Sequence, residues 1–252
     1  MIEIDNLTAG YGGAPVLCGV NAVIPHGAVT VILGPNGCGK TTLLKLLARQ
    51  MEPASGAVLL DGRELRAFGR KEFARKVAFM PQNRPVPALT VGALAAHGRF
   101  PHLGLSRQMT ARDRQAVELA LREAGVKDLA GRDLRTLSGG QRQRAYLAMV
   151  LAQQSEVLLL DEPTAALDIA ARLEFLALCR TLAQSGRTMV LVLHDIPQAF
   201  EYADRILLLR DGRLFASGTP EEVYASHAAD RVFGVSFRRT PDGHYYTARD
   251  AS

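Results

Sequence analysis

The sequence predicts an α/β fold with a mostly parallel sheet, an antiparallel β-rich start and a helical insertion. Short, fully apolar runs, such as VLLL from Val157 and MVLVL from Met189, have the length of buried strands, and segments with helical periodicity alternate with them. A glycine-rich turn joins the apolar strand GAVTVILG to a helix. The region from about residue 85 to 135 is helix-rich and interrupts this alternation.

The first part of the chain predicts strands around one helix. The opening residues alternate and then turn at Gly12 and Gly13, as a strand that enters a hairpin would. The predicted elements that follow are a strand over Val16–Ile24, a buried strand over 27–34, a helix over 41–51, a strand with an Asp-Gly turn over 55–65 and a short strand that ends at Pro81.

The middle of the chain predicts helices. The segment TARDRQAVELALREAG begins with Thr110 and Asp113 at capping-box spacing, carries apolar residues at helical intervals and stops at Gly125. A helix is predicted from Gly140, followed by a strand at EVLLLDE, a helix over 170–182, a strand at TMVLVLHD and a helix over 198–202.

The end of the chain predicts two hairpins with a helix between them. RILLLRDGRLFASG has an Asp-Gly turn between apolar runs, and Thr219, Pro220 and Glu222 mark a helix start. VSFRRTPDGHYYTA predicts a last small hairpin.

Composition excludes several classes of protein. No apolar run approaches the ~20 residues of a membrane span. The three cysteines are scattered and odd in number, which is typical of a reducing compartment rather than a disulfide framework. The net charge is +5, but the arginines are dispersed without a long basic run, so we expect no nucleic-acid partner.

The segment GPNGCGKT, from Gly34 to Thr41, matches the complete phosphate-binding P-loop pattern between a strand and a helix. Its glycines let backbone N–H groups point at phosphate oxygens, and the following helix adds its positive end. We expect ATP as the ligand, with Lys40 at the β- and γ-phosphates and the Thr41 hydroxyl on Mg²⁺. Cys38 lies beside the helix start, where a thiolate is favoured, so we expect it to be reactive.

Two adjacent carboxylates, Asp161 and Glu162, end an apolar strand, a costly place unless they serve a metal or a reaction. We assign Asp161 to Mg²⁺ through water and Glu162 to the base that activates the attacking water. His194 ends a second apolar strand and is a candidate contact of the γ-phosphate. Gln82 ends a third, where it can reach both metal and water.

A second anion site is predicted at LSGGQ. Ser138, Gly139 and Gly140 open an amphipathic helix, and a hydroxyl, two glycine N–H groups and a helix N-terminus suit an anion. This site follows the helical insertion and is expected to lie away from the P-loop. Two copies arranged head to tail would bring one copy's P-loop to the other's Ser-Gly-Gly turn, as a two-fold interface allows.

Together these residues resemble the ATP-binding cassette ATPases over about residues 1 to 225. The P-loop, the glutamine loop at MPQN, the signature LSGGQ, the acidic strand VLLLDEP, AALD and the histidine of VLHD occur in the family's order. The resemblance implies a nucleotide-binding domain over 1–225, with a P-loop NTPase core of RecA type, an N-terminal antiparallel β subdomain and a helical subdomain at about 85–150 that carries the signature. It leaves 226–252 as a C-terminal extension. It also implies two ATP molecules held between two such domains.

The resemblance assigns further residues to the nucleotide. Tyr11 matches the aromatic residue that stacks on adenine, Thr42 matches an α-phosphate contact, and Asp168 matches the loop that crosses the dimer interface. The residues expected at the nucleotide are Tyr11, Gly34, Pro35, Asn36, Gly37, Cys38, Gly39, Lys40, Thr41, Thr42, Ser138, Gly139, Gly140, Gln141 and Asp168.

The segment TVGALAAHGRFPHLG, from Thr90 to Gly104, resembles ATPases of importers for ferric siderophores, haem and cobalamin, and most of all the siderophore group. This implies a separate membrane permease, an indirect link to a substrate-binding protein and a position on the cytoplasmic face of the membrane. The surface around Arg99–Leu103 is expected to receive the permease. Alternatives are a haem or cobalamin importer, an exporter cassette, a cassette protein outside transport, and a P-loop kinase, which would leave LSGGQ unexplained.

Overall fold

The computed structural model describes residues 1–104 and 108–248. Its strands are β1 (Ile2–Ala9), β2 (Leu17–Ile24), β3 (Val29–Leu33), β4 (Ser55–Leu60), β5 (Arg63–Glu64), β6 (Val77–Met80), β7 (Val157–Asp161), β8 (Thr188–Val192), β9 (Arg205–Arg210), β10 (Arg213–Gly218), β11 (Ser236–Arg239) and β12 (Tyr245–Ala248). Its helices are α1 (Lys40–Leu47), α2 (Arg70–Lys76), α3 (Val91–His97), α4 (Ala111–Glu123), α5 (Gly139–Ala152), α6 (Ile169–Gln184), α7 (Ile196–Tyr202), α8 (Pro220–Ala225) and α9 (Ala228–Phe233).

The central sheet has six strands in the order β10-β9-β3-β8-β7-β6. All neighbours pair in parallel except β10, which is antiparallel to β9 at one edge. Every residue of β3, β7 and β8 is buried, as expected of parallel strands that are covered on both faces. The carboxyl ends of β3, β8, β7 and β6 therefore form one row along the same edge of the sheet.

A second, antiparallel sheet has the order β2-β1-β4-β5. It packs with α1 against the central sheet in one hydrophobic cluster that includes Ile4, Val20, Leu43 and Val58. The α/β fold with an N-terminal antiparallel sheet and a helical insertion is thus confirmed. The structure also has two short helices that the sequence did not predict: α2, which buries only Phe73, and α9, in the region assigned to the C-terminal extension.

The helical insertion contains α3 and α4 and continues into α5. Arg99, just after α3, joins these helices, because its guanidinium lies 2.9 Å from the Asp113 carboxylate on α4 and donates to the Ala152 carbonyl oxygen on α5 at 2.7 Å. The Arg99 side chain is 2% exposed. The expectation that Arg99 lies on a docking surface is therefore wrong: its charge is used inside the subdomain. Leu103 is also buried, whereas Phe100 is exposed.

The tail packs on the main body of the chain. β11 pairs with β12, and Phe237 and Tyr245 from these strands contact Phe200 on α7 with ring centroids 4.5 and 5.3 Å apart. Residues 249–252 of the proposed extension lie outside the described residues. Across residues 1–104 and 108–248, no helix is long and apolar enough to cross a membrane.

Candidate functional site

The P-loop lies between β3 and α1, as its sequence predicts. Gly34 has φ 152°, and a Cβ atom there would meet the Leu209 carbonyl oxygen at 2.3 Å, so only glycine fits. Gly39, which precedes α1, has φ 103°, and a Cβ atom there would lie 2.5 Å from Leu17 Cδ2. The loop therefore keeps its backbone close to the neighbouring strands and leaves its other side open.

A cleft of about 370 Å³ lies over this loop and is lined by Gly37, Gly39, Lys40, Thr41, Glu162 and His194, among others. The Lys40 ammonium group donates to the carbonyl oxygens of Gly34 at 2.8 Å and Pro35 at 2.9 Å. A lysine has three N–H donors, so one remains for a ligand in the cleft. Asn36 and Thr42 also line the cleft, so most of the predicted P-loop set lies together.

Asp161, the last residue of β7, faces the start of α1. The Thr41 hydroxyl donates to Asp161 Oδ1 at 3.2 Å, and Asp161 is 2% exposed. Burial raises the pKa of the Asp161 carboxyl; the Thr41 hydrogen bond lowers it in part, and the neighbouring Glu162 raises it further. A buried carboxylate beside another carboxylate is stabilised by a cation, so this corner of the cleft favours a metal ion or another positive group.

Glu162 follows β7 in a left-handed backbone conformation, with φ 47°. Such a conformation is uncommon for residues other than glycine and is retained where the surroundings enforce it. One carboxylate oxygen of Glu162 lies 2.5 Å from His194 Nε2, and the other accepts a hydrogen bond from the Gln82 side-chain amide. The structure thus brings together the three residues that the sequence assigned to hydrolysis.

Tyr11 is 63% exposed and is not one of the residues that line the cleft, but it lies beside Thr42, which does. Its hydroxyl oxygen lies 3.5 Å from Thr42 Oγ1 and 3.5 Å from Lys45 Nζ. Lys45 is a site residue that the sequence analysis missed, and its charge also lowers the pKa of Asp161. The available signal was its position on α1, one helical turn after Thr41, which places both on the same face.

The Ser-Gly-Gly turn lies elsewhere on the chain. Ser138 is exposed and begins α5 with a capping box: its hydroxyl accepts from the Gln141 amide at 3.3 Å, and its own amide donates to Gln141 Oε1 at 3.2 Å. Positions 139 and 140 lie against Ala166 and Ala171, and Asp168 caps α6. None of these residues lines the P-loop cleft within the described part of the chain.

The expected reactivity of Cys38 is contradicted. Its side chain is buried at 5% exposure, and burial raises the pKa of the Cys38 thiol by more than the Lys40 charge and backbone hydrogen bonds lower it. The helix start nearby would favour a thiolate, but desolvation outweighs it. Cys38 is therefore a packed thiol inside the loop, where its sulfur lies close to Gly34.

Comparisons with known proteins agree with this geometry. The model of the ABC transporter family matches residues 17–165. Ferric enterobactin transport ATP-binding protein FepC of Escherichia coli (strain K12) is 43% identical over 233 residues, which are 92% of this chain and 86% of FepC.

Two further proteins extend the comparison. Hemin import ATP-binding protein HmuV of Pseudomonas aeruginosa is 42% identical over 97% of this chain and 98% of its own length. A dimeric structure of MJ0796, a bacterial ABC transporter cassette, is 29% identical and superimposes with a TM-score of 0.76, covering 87% of this chain and 99% of that one.

Proposed function

The chain belongs to the ABC transporter family of ATP-binding proteins, and on this premise we propose that it powers the uptake of a ferric siderophore through a separate membrane permease. As a member it binds ATP and is an ATPase. The observation that carries the catalytic part of the proposal is the placement of Glu162 between Gln82 and His194, beside the P-loop cleft.

The cargo is inferred from relatives, since it does not touch this chain. Ferric enterobactin is the cargo in the name of one relative, and hemin in the name of another at similar identity. The segment around Phe100 and His102 favours the siderophore group by resemblance. Uptake of haem or cobalamin is the second candidate, and it shares the same ATPase chemistry.

The residues that would hold a nucleoside triphosphate with Mg²⁺ are Lys40, Thr41, Gln82 and Asp161. The described residues contain no group of three His, Cys, Asp or Glu side chains that could hold a metal ion. Mg²⁺ takes few protein ligands and keeps water and phosphate oxygens, so a carboxylate, a hydroxyl and an amide are sufficient. When bound, Mg²⁺ neutralises charge on the phosphate oxygens.

The chain's own residues would perform the reaction as follows. Lys40 uses its remaining N–H donor to hold the terminal phosphates, and Tyr11, which lies beside Thr42, stacks on the adenine. Glu162 accepts a proton from the attacking water. His194 and Gln82 hold the two oxygens of that carboxylate and so restrict its orientation beside the cleft.

Ser138 and Gly139 would act on the nucleotide of a second copy. They do not line their own chain's cleft. Gly139 lies beside Ala166 and Gly140 beside Ala171 on α6, close to Asp168, which caps that helix. A head-to-tail pair would let each copy close the other's cleft, as a two-fold arrangement requires. We place this pair on the cytoplasmic face of the membrane, where it would contact the permease and, through it, a substrate-binding protein.

The proposal is tested with Glu162→Gln. This change keeps the shape of the side chain and removes the base, so the variant should bind MgATP, fail to hydrolyse it and accumulate as a closed dimer. Light scattering with MgATP should give twice the 27.2 kDa mass of one chain.

Glu156→Gln is the matched control, because Glu156 is an exposed residue at the other end of the same strand. It should behave as the unchanged protein does. If Glu162→Gln binds MgATP and remains a monomer, the shared site is refuted.

A further inference from the structure

We propose that Arg84 is a positioning residue, which fastens the loop that carries Gln82 to helix α5 and thereby sets the contact between Gln82 and Glu162. Arg84 follows Gln82 by two positions and is half-buried. Its guanidinium Nη2 donates to Gln143 Oε1 at 2.6 Å, and its Cζ lies 4.5 Å from the centre of the Tyr146 ring. The inference rests on the proposed function, because it concerns the same catalytic group.

A second contact fixes the same loop to the same helix. The Tyr146 hydroxyl donates a hydrogen bond to the Pro85 carbonyl oxygen. Arg84 and Pro85 are thus both held by side chains one turn apart on α5. Because a planar guanidinium stacked on a ring and bonded at its edge has little freedom, this pair of contacts fixes both the position and the direction of the loop.

Stability alone does not explain the contact between Arg84 and α5. Arg84 Nη1 and Gln143 Nε2 are both buried, and neither has a hydrogen-bond partner among the described residues. Buried donors without partners cost free energy, and an apolar contact of the same shape would avoid that cost. Packing alone therefore does not account for the hydrogen bond from Arg84 to Gln143 on α5.

A movement of helix α5 would also move the loop that carries Gln82, because the backbone of that loop is restricted. Prolines at 81, 85 and 87 restrict the backbone around Gln82 and Arg84. Gln143 and Tyr146 lie on the same helix that begins at Ser138. A shift of α5 as one body would move Arg84, and with it Gln82, relative to Glu162. The Ser-Gly-Gly start of α5 and the hydrolytic residue Glu162 are therefore linked through Arg84 and Gln82.

The test is a double-mutant cycle on ATPase activity. Arg84→Ala should lower kcat roughly ten- to a hundred-fold, the loss typical of a misplaced catalytic group, with KM for MgATP changed by less than about two-fold. Gln82→Ala should lower kcat as well. In the Gln82→Ala background, Arg84→Ala should have no further effect on kcat, because the group that Arg84 positions is already gone.

Arg187→Ala is the matched control. Arg187 is also a partly buried arginine, and it joins the segment before β8 to Glu123 on α4 at 2.8 Å without touching the glutamine loop. Its kcat should match that of the unchanged chain. Should Arg84→Ala destabilise the fold, Gln143→Leu serves in the same cycle, since it removes the acceptor of the Arg84 hydrogen bond and leaves the guanidinium in place.

The proposal is overturned if kcat of Arg84→Ala equals that of the control, or if its effect multiplies with that of Gln82→Ala. Failure of the proposed function would look different: the unchanged protein would not hydrolyse ATP, or Glu162→Gln would not dimerise. The cycle is measured only in protein that hydrolyses ATP, so the two failures are distinguishable.

Discussion

Replacing Arg99 with methionine should strongly destabilise the chain without touching the ATP cleft. Arg99 makes four polar contacts: Nε and Nη2 lie 3.0 and 2.9 Å from Asp113 Oδ1, and Nη1 donates to the Ala152 carbonyl oxygen and to Gln154 Oε1 at 2.7 and 2.8 Å. Methionine has a similar length but no donor, so the change isolates the charge and its hydrogen bonds.

The size of the effect follows from what remains after the change. The Asp113 side chain is 7% exposed, so its carboxylate would stay buried with only the Thr110 hydroxyl and amide as donors. Removing one partner of a buried ion pair costs about 3–5 kcal/mol. For a chain of 252 residues, each kcal/mol lowers Tm by about 2–4 °C, which gives a loss of roughly 6–20 °C.

Thermal and urea unfolding followed by circular dichroism measure this loss. Arg122→Ala is the control: its pair with Glu118 lies in the same subdomain but is exposed at 57% and 47%, and such pairs contribute about 0.5 kcal/mol. Adding Asp113→Asn to Arg99→Met should recover part of the loss, because it removes the stranded charge. The reasoning is refuted if Arg99→Met costs no more than Arg122→Ala.

Three further outcomes are expected. Ser138→Asp keeps a good helix cap but places a negative charge against the partner's triphosphate, so ATP turnover should fall strongly while the free energy of unfolding is unchanged. Thr219→Asp, at an equivalent cap outside the site, should change neither quantity. Mass spectrometry with a thiol reagent at pH 7 should show Cys18 modified well before Cys38, with or without MgATP; rapid labelling of Cys38 would contradict its burial. Hydrogen bonds from Thr110, together with Arg99, lower the pKa of Asp113 from 3.8 to about 2. The contribution of Asp113 to stability is therefore present above pH 4 and lost as the pH falls toward 2. In urea unfolding, Thr110→Val should lose less stability over that pH range than the unchanged chain does.

Elements with strong local signals could be predicted from the sequence. The apolar runs of β3, β7 and β8 and the capping boxes at Thr110 and Thr219 were located correctly, because buried strands and caps are encoded by adjacent residues. Helices α6 and α7 begin one or two residues earlier than predicted, at the positions that Asp168 and Asp195 cap. Helix α2 has no apolar periodicity; its local signals are Glu72 in the first turn, which accepts from the Gly69 amide, and Arg75 and Lys76 in the last.

Two residues were misjudged for one physical reason. The helix start beside Cys38 predicts a reactive thiol, and the resemblance of the segment from Thr90 to Gly104 predicts a docking surface at Arg99; neither signal reports burial. A helix end stabilises a charge by about 0.3–1 kcal/mol. Full burial has the larger effect, because it shifts a pKa by as much as about 3–5 units, and each unit corresponds to about 1.36 kcal/mol. Burial depends on the whole fold, so a sequence motif gives the identity of such residues and not the environment that decides their chemistry.

The contacts of Glu162 illustrate what sheet order adds. Its strand, β7, lies between β8 and β6, although β6 comes far earlier in the chain than β7. His194 follows β8 and Gln82 follows β6, so parallel strands bring these side chains to the two sides of Glu162. Strand β3 is the other neighbour of β8, which places the P-loop beyond His194. The order of strands thus fixes the order of chemical groups along the edge, and the left-handed backbone at Glu162 turns its carboxylate to meet both neighbours.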